Sequence, residues 1–367
     1  MSDQFRTRLL FLSAGLAAFV GSVSSQAPAF DVIVGGGQVV DGTGSPAVRA
    51  DVGIRGDRIA AVGRLDGQSA RRTIDASGLI VAPGFIDLHT HSEMPLLSDG
   101  TAQSKVRQGV TLDITGESTS AAPRDGFPAD SGDGTKVDWT TFTEYFDRLE
   151  RQGISMNTIA HIASEQIRRV VLGYDPRPAT PQEIAKMTDL VARSMREGAW
   201  GLVTRFESSG PAHPEEVMAM AKVVASLGGN YTSHIGSEGF QQAKELAFAI
   251  RVAEEAKLPV HIFHFKIRGK ENEGTIGRYI KQIEDARARG LDITANQYPY
   301  TAMFHGWSAF FPLWIREGGP QKFAERLKDP ACWRERGPRR TSRTKANASR
   351  RSRACEVKKI RWTRASR

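Results

Sequence analysis

The chain has 367 residues, 40% hydrophobic and 25% charged, an ordinary globular composition. Its formal net charge of +9 suggests a nucleic-acid or membrane partner, but residues 331–367 hold 14 Lys and Arg against Glu335 and Glu356, while residues 1–330 hold 36 bases against 39 acids. The body is therefore slightly acidic and no nucleic-acid partner is expected; with Cys332 and Cys355 both in the basic tail, the body has neither a disulfide nor a thiolate ligand.

Residues 1–27 read as a secretory signal. Arg6 and Arg8 precede an apolar run from Leu9 to Val23, and the small residues Ser22, Ser24, Ser25 and Ala27 offer a cleavage site. The run is short for a membrane span of ~20 apolar residues, so a secreted or periplasmic protein with no stable span after cleavage is expected.

Residues 28–80 read as a small antiparallel sheet, the N-terminal part of a β-sandwich. Asp31–Val34, Gln38–Val40, Asp51–Arg55 and Arg58–Val62 are β-rich, and Gly35-Gly36-Gly37, Asp41-Gly42-Thr43-Gly44 and Gly56-Asp57 supply turns. From residue 81 apolar strands alternate with amphipathic helices. The predicted strands are Val81–His89, Thr111–Gly116, Asn157–Ile162, Gly201–Arg205, Asn230–His234, Val260–Phe265 and Asp292–Gln297. Thr180-Pro181-Gln182-Glu183 is a capping box opening a helix to about Arg196, and Pro214-Glu215-Glu216 starts another. Such alternation implies parallel βαβ units, and seven of them over 81–330 fit an incomplete (β/α)8 TIM barrel better than an open sheet. Residues 331–367 lack apolar periodicity and read as a disordered or non-native tail.

Eight histidines are present, at 89, 91, 161, 213, 234, 261, 264 and 305. The sharpest signal is Pro83-Gly84-Phe85-Ile86-Asp87-Leu88-His89-Thr90-His91, an apolar strand ending in two histidines at i and i+2. Strand alternation turns His89 and His91 to one face, and at the C-terminal mouth of a barrel they would make half of a zinc shell. A pair of packed rim histidines is the bland alternative. Asp113, Thr115 and Glu117 share a face at the end of the next strand, so Glu117 can reach the mouth.

Residues 30–330 resemble the amidohydrolase superfamily, and within it the N-acyl-D-amino-acid deacylases. The motifs are "PGFIDLHTHSE", "GVTLDITGESTSAAP" (109–123), "NYTSHIGSEG" (230–239), "PVHIFHFKIRG" (259–269) and "QYPYTA" (297–302). The resemblance implies a metal-dependent-hydrolase barrel. It implies zinc, as one or two divalent ions, held by Glu117, His234 and His264 with His89 and His91 on a second ion. Glu117 stands where the family has a cysteine, which exchanges soft sulfur for hard oxygen. Substrate-binding roles are implied for Tyr298 and for Lys266, whose alternatives are an aromatic lip and a rim salt bridge. His261, three residues before His264, is expected behind the barrel, with Ile262, His264 and Lys266 facing inward. His161, His213 and His305 match no motif and are expected in loops or on the surface.

The implied reaction is hydrolysis of a linear amide of a small N-acyl-D-amino acid, by a hydroxide formed as zinc lowers the pKa of water to roughly 7. The family's general-base aspartate belongs to an eighth strand beyond residue 330, so low activity is expected of the chain as written. The alternatives are a cyclic-amide or dipeptide hydrolase and a non-catalytic truncated product.

Overall fold

The computed structural model describes residues 27–117, 119–127, 135–205, 213–235, 238, 242–300, 311, 315 and 318–329. The predicted signal up to residue 26, the tail 331–367 and His305 lie outside the described residues. The chain divides into two compact units, Met1–Pro83 and Gly84–Arg367.

The first unit is a five-stranded sheet of β1 (Phe30–Val39), β2 (Val48–Arg55), β3 (Arg58–Gly63), β4 (Ala70–Asp75) and β5 (Ile80–Val81). Its order is β3-β2-β1-β4, with β5 also on β1. The antiparallel reading needs correction: β1 runs antiparallel to β2 but parallel to β4 and β5. After the β2–β3 hairpin the chain crosses to the opposite edge of β1, and a crossover gives parallel pairing. The glycine triplet also differs from expectation, since it is a bulge inside one strand. The register against β2 shifts between Val34 and Gly37. Gly36 adopts φ +77 and its N–H donates to Asp51 Oδ1 at 2.8 Å, a conformation that glycine reaches without steric cost.

The second unit contains β6 (Phe85–Asp87), β7 (Val110–Thr115), β8 (Asn157–Ala160), β9 (Ile162–Ala163), β10 (Gly201–Arg205), β11 (Asn230–His234), β12 (Val260–Phe263) and β13 (Ile293–Ala295). They form parallel sheets ordered β6-β7-β8 and β9-β10-β11-β12-β13. The predicted strand Asn157–Ile162 thus divides at His161 between two sheets. The run of neighbours continues across the division: His161 N–H donates to Thr115 O and Trp200 N–H donates to Ala160 O, each at 2.9 Å. Parallel strands that neighbour one another in chain order, with helices between most of them, make an incomplete (β/α) barrel.

Helices form where the sequence signals them. Thr180 Oγ1 accepts from Glu183 N–H while Glu183 Oε2 accepts from Thr180 N–H, which opens the helix Pro181–Arg196. Pro214–Ser226 begins with proline and two acids as expected. Tyr145, Ile162, Ile167, Met187, Leu202, Met220, Leu246 and Ile262 are fully buried in one cluster. Each such side chain contributes ~1.5–3 kcal/mol on burial, and together they fix where the strand ends lie. Among the described residues no helix is long and apolar enough to cross a membrane.

Gly116 links this packing to the residue after it. It has φ +115, and a Cβ there would lie 2.5 Å from His161 O. Gly116→Ala is expected to destabilise the protein by ~2–4 kcal/mol, through backbone strain and overpacking. Gly277→Ala, in a helix with open space around it, should stabilise by up to ~1 kcal/mol. Urea unfolding of both variants checks the contrast, and equal midpoints would contradict it.

Candidate metal centre

The ends of four parallel strands converge on one carboxylate. His89 and His91 follow β6, Glu117 follows β7 through Gly116, His234 is the last residue of β11, and His264 follows β12. Glu117 Oε2 lies 2.8 Å from His89 Nε2 and 3.1 Å from His91 Nε2. Its Oε1 lies 2.5 Å from His234 Nδ1 and 3.5 Å from Arg205 Nε. His264 Nε2 lies 3.2 Å from His234 Nδ1. The structure brings together all five residues selected from the sequence.

Burial and hydrogen bonding together set the charge state of this cluster. Burial alone would raise the Glu117 carboxyl, but hydrogen bonds from His234, His89 and His91 outweigh it and hold the group well below the usual carboxylate range. Burial lowers His89, and it pushes His234 down to about 4. Both rings are therefore neutral near pH 7, the form in which imidazole binds metal. His91, the exposed member, is raised by its hydrogen bond to Glu117. Donor atoms of His89, Glu117 and His264 all lie within 4.8 Å of one another, as do those of His234, Glu238 and His264. Neutral nitrogens around a buried carboxylate suit a divalent ion such as zinc, which takes N and O ligands.

Strand alternation misplaced two residues of β12. Phe263 stacks on His89 with ring centroids 4.1 Å apart, and His261 lies 5.8 Å from Phe263 on the same face. Ile262 points the other way, into the main apolar cluster. His261 is therefore on the face of β12 that carries the site, contrary to expectation, and Ile262 is not. His264 reaches the site because its backbone leaves the strand with φ +35, which breaks the two-residue period. His161 also departs from the surface reading. It is buried, with Nε2 2.9 Å from Asn230 Oδ1 and Nδ1 3.3 Å from Thr115 O. His213 precedes the helix Pro214–Ser226 at its N-cap position without a side-chain capping bond, and its Nε2 lies 3.2 Å from Pro176 O.

Lys266 and Tyr298 flank the cluster. The Lys266 ammonium binds Glu238 and lies 5.0 Å from the Tyr298 ring centroid, which is 6.2 Å from that of His264. Four neighbours escaped the sequence reading: Glu93, Arg205, Glu238 and Phe263. Glu93 and Glu238 sit inside the motifs "HSE" and "SEG", so a charged residue just past a strand-end histidine was the available signal. Glu93 Oε1 accepts from Gly116 N–H at 2.6 Å, which anchors the backbone next to Glu117.

Glu165, in the first turn of the helix Ser164–Leu172, braces the end of β10. Its Oε1 accepts from Arg205 N–H at 2.5 Å, and among the described residues its buried Oε2 has no hydrogen-bond partner. Burial pushes its carboxyl up to about 7. An acid raised above its unfolded value of about 4.3 contributes stability that is fully present below that pH and is lost as pH rises through the folded value. Glu165→Gln should therefore flatten the fall in unfolding free energy between pH 4.5 and 7 by roughly 1–3 kcal/mol. Urea titrations at several pH values check this, and an unchanged slope would contradict it.

The sequence profile of the amidohydrolase family matches residues 72–303. A D-aminoacylase of Alcaligenes xylosoxydans xylosoxydans is 36% identical over 286 residues, covering 76% of this chain and 59% of that protein. A solved D-aminoacylase structure, described by its binuclear metal centre, has a TM-score of 0.69 at 35% identity, over 74% of this chain and 59% of that one. The N-acyl-D-glutamate deacylase from Bordetella bronchiseptica, solved with zinc and a phosphonate mimic of the tetrahedral intermediate, gives 0.66 at 28% identity with the same coverage. The chain spans 59% of the length of each of these relatives. With a profile matched across more than half of its residues, the chain belongs to the amidohydrolase family.

Proposed function

We propose that the chain is a zinc-dependent hydrolase of linear amide bonds that acts on N-acyl-D-amino acids, yielding a carboxylate and a D-amino acid. The observation that carries the reading is the convergence of the His89, His91 and His234 imidazoles on buried Glu117, with His264 against His234. The substrate class follows the relatives, a D-aminoacylase and an N-acyl-D-glutamate deacylase. The signal-like residues 1–27 support export to the periplasm or beyond.

In this reading His89, His91, Glu117, His234 and His264 hold one or two divalent ions. A bound ion would supply Lewis acidity to the amide carbonyl and lower the pKa of water. The protein supplies the rest. Phe263 packs flat against His89 and fixes its ring plane. Lys266 and Tyr298 stand together beside His264, where an ammonium and a phenol can orient the carboxylate of an acyl amino acid. Hydrogen bonds from His234, His89 and His91 keep the Glu117 carboxylate ionised before any ion arrives, and Arg205 Nε lies 3.5 Å from its Oε1.

Two measurements test the reading. Zinc titration against a competing chelator should find one or two ions per chain, and Glu117→Ala should weaken binding by more than the ~10–100-fold typical of losing an outer partner. Calorimetry on the zinc-loaded chain should show N-acetyl-D-methionine binding ~10-fold tighter than its L-enantiomer, about 1.4 kcal/mol. Zinc affinity untouched by Glu117→Ala would sink the metal assignment, and equal affinity for the enantiomers would sink the substrate class.

A further inference from the structure

We propose that Glu238 is a positioning residue that selects the metal-binding tautomer of His264. The inference rests on the metal-centre reading above and extends it to a residue outside the five proposed ligands. Glu238 is buried in the segment after β11. Its Oε1 lies 3.1 Å from His264 Nδ1 and also accepts from the Lys266 ammonium. The opposite ring atom, His264 Nε2, faces His234. One imidazole thus has a carboxylate on its Nδ1 side and the proposed metal ligands on its Nε2 side.

Lys266 makes the carboxylate necessary. Its Nζ lies 3.0 Å from His264 Nδ1. An ammonium has donors and no acceptor, so by itself it would donate to Nδ1 and place the ring proton on Nε2. That tautomer has no lone pair to offer a metal. Glu238 reverses the preference: it accepts from Nδ1–H, engages the ammonium, and leaves the Nε2 lone pair directed at the centre. A carboxylate on the far nitrogen of a ligating histidine also raises the basicity of the ligand.

The backbone shows that this contact is held in place. Of the four non-glycine residues with positive φ among the described residues, two are Glu238 at +45 and His264 at +35. Strained residues that touch one another persist only where the surroundings over-determine them. Here Arg268 N–H donates to Glu238 O at 2.6 Å, and Gln242 Nε2 donates to Lys266 O at 3.1 Å, so the segments after β11 and β12 are joined on both sides of the contact. Glu238 could itself be counted as a metal ligand beside His234 and His264. The bound ammonium argues against that role, because it would repel a cation at the same oxygen.

The test uses the full chain. In the metal-free protein labelled with 15N-histidine, His264 should carry its proton on Nδ1; Nε2–H in the unaltered chain overturns the proposal. Glu238→Gln keeps an acceptor and should keep the Nδ1–H tautomer, with zinc affinity little changed. Glu238→Ala should shift the proton to Nε2 and weaken zinc binding by ~10–100-fold, with the number of ions per chain unchanged. Adding Lys266→Met to Glu238→Ala should recover part of the affinity, because the competing donor is gone. Unchanged zinc affinity in Glu238→Ala, or loss of one whole ion per chain in either single variant, overturns the proposal. A chain that binds no zinc at all would defeat the metal-centre reading, while the tautomer measured without metal still decides the role of Glu238.

Discussion

The Glu117 carboxylate is the charge around which the second unit is organised at its strand ends. A carboxylate taken out of water costs several kcal/mol unless donors replace the lost hydration, and three imidazoles and a guanidinium surround this one. Those donors come from the ends of β6, β10 and β11, which are far apart in sequence. Only parallel strands that neighbour one another in register, across the two sheets that meet at His161, can bring them within bonding reach. Its charge and the parallel register therefore depend on each other: a slipped strand would leave a buried anion without partners.

Support for that arrangement reaches into the backbone. Gly116 lets the chain pass against His161, and Glu93 ties the Gly116 N–H from the other side. Glu165 does the same for Arg205 at the end of β10. Each buried acid sits one step behind a residue that faces the centre. The result is a charged cluster whose outer supports are themselves titratable, with two carboxyls raised to about 7 by burial.

Much of this was legible in the sequence. The His89–His91 pair ends an apolar strand, so residue type and position marked it, and strand alternation let Glu117 reach the same mouth. The resemblance to the deacylase motifs marked Glu117, His234 and His264 as ligands. The capping box at Thr180 and the proline start at Pro214 fixed two helices because their signals are local, within four residues. The glycine triplet failed as a turn because its role depends on Val81 and Asp51, which are remote in sequence. The mixed direction of the first sheet was missed for a related reason: strand direction is set by where the chain crosses, and composition does not record it.

The sequence by itself marked the barrel strands, two capped helices, the strand-end histidines and the acidic body, because periodicity, capping and charge are properties of neighbouring residues; β4 carried no such signal. Tertiary structure decided which nitrogen meets which oxygen. Alternation predicted that His261 would turn away and that Ile262 would turn in. The positive φ of His264 and the stacking of Phe263 on His89 reversed both. Glu238 became visible in the same way, since its contact with His264 joins segments that meet only when β11 and β12 lie side by side. A two-residue period describes a regular strand, and the site is built where the strands stop being regular.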